Sequence, residues 1–355
     1  MREIDSLFEK GIEDRVFPSA SLLVFKGDTI LYERYYGSYE YGSGKMVSKS
    51  SLYDLASLTK PLVTSMGIAL LVQNREIRLD REMGYYFREF KRVDKLNITV
   101  QDMLNHRAGL PSHRDYFKEF PEELWGTVVV RDSILKMVLN EDILKYGKTL
   151  YSDIDFMILG YLIEVISGED LREFIRREFF RHLSVNESDF CGNKALMKPD
   201  VMVPVSGGVI GVDDENCRAM GGIAGHAGLF SNVREVYRII REILSSWFDT
   251  DWKVIRPDVL KSLLERSRDF EPSMFRGGFD TPDAEGSQYG DHFSPEAIGH
   301  LGFTGTSFIV DLSDGFGVIL LTNRVCPDRD NSRIKEFRRL IHNEIHNRFV
   351  GERGL

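Results

Sequence analysis

Apolar residues fall at Ile4, Leu7, Phe8, Ile12 and Val16, close to a 3.6-residue period, so the chain opens on an amphipathic helix. The pattern then changes. In "SASLLVFKGDTILYERYYG" (19–37), β-branched, aliphatic and aromatic residues crowd two runs on either side of Gly27-Asp28, the composition of a β-hairpin. From about 57 to 270 helical periods dominate, broken by Gly and Pro, as in "LVTSMGIALLVQ", "DFMILGYLIEVIS" and "VREVYRIIREILSSWF". A polar, Gly-rich stretch, "FRGGFDTPDAEGSQYGDHFSPEA" (275–297), follows; a loop of that length suits the rim or lid of a site. Strand composition returns in "AIGHLGFTGTSFIVDL" and "FGVILLTN", with Ser313-Asp314-Gly315 as the turn, and a last helix is expected over roughly 330–349.

Strands at both ends with helices between them predict an α+β fold. Residues 1–56 and 298–355 would build one antiparallel sheet flanked by helices. Residues 57–297 would form an inserted, mainly helical lobe that includes the rim loop at 275–297. The cleft between the two is the expected small-molecule site.

Composition narrows the function. The 355 residues are 42% hydrophobic and 28% charged, enough to bury a substantial core. A net charge of −9 without a basic stripe argues against nucleic acid as a partner. No apolar run approaches the roughly 18–20 residues that cross a bilayer, so no membrane partner is expected. The opening "MREIDSLFEKGIEDRVF" is charged and helical, unlike a secretory signal, and a cytoplasmic location is expected. Three cysteines, at 191, 217 and 326, form neither a disulfide framework nor a zinc knuckle. His106, His226, His292 and His300 lack metal-ligand spacing, so no metal is expected. "GSGKM" (42–46) is not a phosphate loop, and no cofactor is expected. Oligomeric state is not legible.

Ser-x-x-Lys occurs three times, as Ser57/Lys60, Ser133/Lys136 and Ser332/Lys335. The last two lie in Lys/Arg-bearing helical stretches that read as solvated. In "YDLASLTKPLV" (53–63), by contrast, Ser57 falls at a strand-to-helix change and Lys60 lies one turn on, among apolar neighbours. Burial there favours the neutral amine that a base requires. "YSD" (151–153) precedes a helical run; the ordinary reading is an N-cap, and Tyr151 could equally be a core aromatic. "GHLGFTGTSF" (299–308) is a Gly-flanked strand, where backbone N–H groups can approach a ligand; an ordinary turn with a surface histidine reads the same way.

Together the three form an ordered set, and the chain resembles the penicillin-recognising serine hydrolases, in the branch of class C β-lactamases, DD-peptidases and esterases. "LNHRAGLP", "GGIAGHAGLFSN" and "GFDTP…FSPEAIGHLGFTGTS" extend the likeness over roughly residues 5–345. The resemblance implies a β-lactamase/transpeptidase-like fold and a serine hydrolase that acts on a small-molecule ester, amide or β-lactam through an acyl-enzyme. It implies Ser57 as nucleophile, Lys60 and Tyr151 as proton-transfer groups, and an oxyanion hole of the Ser57 and Phe303 N–H groups. Asp153, His300 and Gly302 would bind substrate, with His226 lining the cleft. Where β-lactamases carry Lys-Thr-Gly this chain has His300-Leu301-Gly302, and Asp153 stands where many have Asn; both weaken the expectation of efficient β-lactam hydrolysis. The alternatives are a D-alanyl or muropeptide peptidase, a weak β-lactamase, and, from another class, a non-catalytic sensor of acyl ligands.

Overall fold

Helix α1 (Arg2–Glu13) leads into the hairpin of β1 (Ser19–Lys26) and β2 (Thr29–Gly37), which turns at Gly27 in the left-handed region. A two-residue strand, β3 (Tyr53–Asp54), then enters the helical region of α2 (Met66–Gln73), α3 (Val100–Leu104), α4 (Val128–Asn140), α5 (Asp153–Ser167), α6 (Leu171–Glu178), α7 (Glu215–Ala219), α8 (Val233–Trp247) and α9 (Pro257–Leu263). Within that region β4 (Asp189–Phe190) and β5 (Leu229–Ser231) join β3 in a small sheet ordered β3-β5-β4. The chain ends with β6 (Phe275–Arg276), β7 (Phe279–Asp280), β8 (Ile298–Leu301), β9 (Ser307–Val310), β10 (Phe316–Thr322) and α10 (Ile334–Phe349). This computed structural model describes residues 1–191, 200–265, 274–283 and 286–351.

Among the described residues, the two chain ends share one antiparallel sheet of seven strands, ordered β2-β1-β10-β9-β8-β7-β6. β1 pairs with β10 from Ala20↔Thr322 to Lys26↔Phe316. Alternation along the strands explains why both are apolar almost throughout. Leu22, Val24, Val318 and Leu320 face the core built with Phe8 of α1 and Phe337 of α10. Leu23, Phe25, Ile319 and Leu321 face the helical lobe. In that lobe α5 is nearly all apolar and lies buried, with Ser152 as its N-cap accepting from the Asp155 N–H.

Two expectations need correction. The stretch 275–297 is not simply a loop, because β6 and β7 extend the sheet past β8; residues 284–285 lie outside the described residues. The run 297–312 is two strands rather than one. Between them the chain reverses at Gly302–Thr306, where the Gly302 N–H donates to the Thr306 carbonyl at 2.7 Å. Among the described residues, no helix is long and apolar enough to cross a membrane.

Candidate active site

Past β3, Ala56–Leu58 forms a 3₁₀ turn, and Lys60–Ser65 continues as a wider π-type turn into α2. Pro61, which has no N–H to donate, sits at the start of that wider turn. Ala56 takes a left-handed φ of +48°. The Asp54 carboxylate fixes this bend by accepting from the N–H groups of Ala56 (2.8 Å) and Asp213 (2.7 Å). Ser57 is half-buried among buried neighbours and opens onto a cleft of about 1080 Å³.

The Lys60 amine is fully buried, with Asp153 Oδ1 at 2.7 Å, Ser57 Oγ at 2.9 Å and the His226 carbonyl at 3.3 Å, and it also hydrogen-bonds with Tyr151. This overturns the expectation of a neutral amine. Burial is the largest single influence and pushes Lys60 towards neutrality, but Asp153 and Tyr151 together outweigh it and hold the pKa above the ordinary lysine range. Asp153 is likewise not a free substrate-binding group. It is the first residue of α5, and its Oδ2 stands 3.3 Å from His113 Nδ1. Burial opposes its charge, yet Lys60 and His113 hold the carboxyl well below the usual range.

Tyr151 completes the cluster. Its ring lies among those of His106 (centroids 4.7 Å apart), Phe275 (5.7 Å) and His300 (6.0 Å). The Lys60 amine is 4.9 Å from the ring centre. Burial raises the phenol's pKa, while charge and hydrogen bonding from Lys60 and Ser57 pull against that rise. His106 has the loop-tying role of a structural histidine: from a left-handed φ of +54° it accepts the Ser152 N–H at 3.1 Å. The same nitrogen lies 3.3 Å from Asp155, which burial keeps protonated well above the carboxylate range.

The β8–β9 turn is tied to the Ser57 bend. Thr304 and Thr306 hydroxyls donate to the carbonyls of Asp54 (2.6 Å) and Leu55 (3.0 Å). A Cβ on Gly302 would lie 2.8 Å from the Leu55 oxygen, so only glycine permits this approach. His300 is buried, not on the surface. Its Nδ1 faces the Leu301 carbonyl at 3.0 Å and therefore carries the proton, and burial lowers its pKa to about 3. Phe303 is 49% exposed, with the guanidinium carbon of Arg324 4.4 Å from its ring centre. Among the described residues, the N–H groups of Ser57 and Phe303 meet no hydrogen-bond acceptor of the chain. His226 is buried at the cleft wall, its Nε2 3.0 Å from Asp214 Oδ1.

The other repeats of Ser-x-x-Lys separate cleanly. Ser133 is half-buried on α4 and donates back to the Val129 carbonyl at 2.8 Å. Ser332 and Lys335, read as merely solvated, are exposed but stand on the lining of the same cleft. His292 stacks on His346, with ring centres 5.0 Å apart. Sequence reasoning missed His113 and Asp214, both on the cleft wall. Neither carries a local signal, since each is defined by a partner on another segment.

Residues 4–343 match the family model described as Beta-lactamase. An Escherichia coli (strain K12) protein named "Putative D-alanyl-D-alanine carboxypeptidase" is 25% identical over 354 residues, 87% of this chain and 79% of that protein. The N-acetylmuramyl-L-alanine amidase of Bacillus subtilis (strain 168) is 27% identical over 369 residues, covering 91% of this chain and 81% of the amidase. Among solved structures, EstCE1, a hydrolase with promiscuous acyltransferase activity, superimposes with a TM-score of 0.76 at 15% identity. That match covers 97% of this chain and 98% of EstCE1, and shows the fold.

Proposed function

The chain belongs to the Beta-lactamase family and is a serine hydrolase of that type; from this premise we propose that Ser57 takes the acyl group of a small-molecule ester or amide and passes it to water. The observation that carries this reading is the Ser57–Lys60–Asp153 chain, with Tyr151 beside it. Ser57 Oγ attacks the acyl carbon, the bond to the leaving alcohol or amine breaks, and the serine proton ends on that leaving group. Water then adds to the acyl-enzyme, giving the carboxylic acid and restoring the hydroxyl. In the resting state Lys60 is an ammonium and Tyr151 a phenol, so the pair must first lose one proton to act as base. The N–H groups of Ser57 and Phe303, on the two segments that Gly302 brings together, would receive the developing oxyanion; losing one such donor typically costs about 2.7–4 kcal/mol.

The names of the two relatives favour an amide, whereas the neutral, buried His300 offers no cation to a β-lactam carboxylate. A cytoplasmic setting agrees with three cysteines, Cys191, Cys217 and Cys326, none bonded to another. Short-chain p-nitrophenyl esters, D-Ala-D-Ala peptides and penicillin, assayed on one preparation, rank the substrate classes. Ser57→Ala should lose at least about 10³-fold in turnover of whichever is cleaved, and turnover equal to that of the unaltered protein would refute the proposal.

A further inference from the structure

His113 lies in line with the reacting groups but outside the reaction just described. It follows Pro111 and Ser112, half-exposed at the cleft, and its ring faces a carboxylate on each side. Nδ1 is 3.3 Å from Asp153 Oδ2, and Nε2 is 3.2 Å from Asp115 Oδ1. A neutral imidazole has one N–H and can serve only one of these; an imidazolium serves both. The pKa follows the geometry, pushed up to about 9 chiefly by the hydrogen bond to Asp153, with Asp214 and Asp115 adding to it. Asp115 is held in turn by Lys118 at 2.7 Å.

The ring is also anchored. The Asp153 N–H donates to the Ser112 carbonyl at 2.9 Å, and the Ser152 hydroxyl donates to the Pro111 carbonyl at 2.6 Å. The segment carrying His113 is thus stitched to the start of α5. Asp153 therefore has Lys60 on one oxygen and His113 on the other, with His226 as the third group acting on its charge.

We propose that His113 is a positioning residue for Ser57 activation: by sharing the Asp153 carboxylate with Lys60, its imidazolium limits how tightly that carboxylate holds the Lys60–Tyr151 proton. The inference rests on the reading of Ser57, Lys60 and Tyr151 given above. Its sign is fixed by electrostatics. A second cation on Asp153 makes it easier for the pair to lose a proton, so the base forms at lower pH than it would without His113. The help is present while His113 is charged and fades as pH rises through about 9.

The rate at which a fluorophosphonate probe labels Ser57, followed by mass spectrometry from pH 5.5 to 10, tests this without the natural substrate. In His113→Gln the rising limb should move up by about 0.5–1 pH unit, which is about three- to tenfold slower labelling at a fixed pH on that limb. His113→Lys, which keeps a cation, should return the limb to within about 0.2 unit of the unaltered protein. An unmoved limb in His113→Gln, even with uniformly slower labelling, overturns the proposal, and so does a shifted limb that His113→Lys leaves shifted. Ser57→Ala separates the two readings. If it abolishes labelling while His113→Gln leaves the limb in place, only the role of His113 fails; if it labels as the unaltered protein does, both fail.

Discussion

At the scale of single residues, the proposed reaction turns on the charge of Lys60, which Asp153 and Tyr151 favour against burial. Asp153, with its pKa depressed, stabilises the fold above the ordinary carboxyl range and loses that contribution as pH falls through it. Lys60, with its pKa raised, contributes fully below the ordinary lysine value and loses that contribution as pH rises beyond it. The pair therefore supports the fold across the neutral range. In Asp153→Asn the buried ammonium keeps only neutral partners, Ser57 Oγ, the His226 carbonyl, Tyr151 and the new amide oxygen, and breaking a buried pair in this way costs about 3–5 kcal/mol. Lys60 can escape by giving up its proton. The variant's loss of thermal stability should thus be larger at pH 6 than at pH 9, while its rate limb moves to lower pH, opposite to His113→Gln. A stability gap independent of pH would count against a charged Lys60. Residue types were legible in the sequence: Ser57, Lys60 and Tyr151 converge as their order suggested. Their ionisation was not. "LASLTKPLV" announces burial, but the anion that reverses its effect sits at the start of α5, and His113 enters from a third segment.

At the scale of elements, the site depends on β8 meeting the Ser57 bend, and Gly302 is the contact point. A Cβ there would stand 2.1 Å from Thr306 Oγ1 and 2.8 Å from the Leu55 oxygen, against the hydroxyl that ties the two elements together. Gly302→Ala should therefore cost about 1–3 kcal/mol of stability and at least about tenfold in ester turnover. Gly42→Ala is the control. It has a positive φ but nothing within 4 Å, so it should lose no more than about 1 kcal/mol and keep its activity. Urea midpoints and turnover measured on both variants check this, and equal loss of activity in the two would remove the special role of Gly302. The strong periodicities read true here: α1, the β1–β2 hairpin, α5, α8 and α10 all lie where apolar spacing put them. β6 and β7 did not show because each is two residues long, set in Gly-rich polar sequence, and defined by pairing with a neighbour rather than by its own composition. The β8–β9 reversal hid for a related reason: every residue of β9, and all but Leu301 of β8, is buried whatever its polarity, so His300 and Ser307 on the strands read no differently from Thr304 and Thr306 in the turn.

At the scale of the whole molecule, the order of strands makes the fold depend on its last third. β10 lies between β1, near the chain start, and β9, and all seven of its residues are buried. Until β10 is in place, Leu22 and Val24 on one face and Leu23 and Phe25 on the other belong to an edge strand with an unpaired ladder. Helix α10 adds a second dependence, because Arg338 donates to the carbonyls of Gly302 (2.9 Å) and Thr306 (2.7 Å), bracing the turn that presents Phe303 to the cleft. A chain ending at residue 315 keeps Ser57, Lys60, Tyr151 and Gly302, yet it should neither fold cooperatively nor label with a fluorophosphonate. It should instead be cleaved rapidly by protease and tend to aggregate through the exposed edge of β1. A protease-resistant, labelling-competent fragment 1–315 would show that the helical lobe and the strands before β10 suffice. The pairing of β1 with β10 argues the reverse: the proposed nucleophile, Ser57, is encoded early, but the Gly302–Thr306 turn tied to its bend is secured only when the two ends of the chain meet.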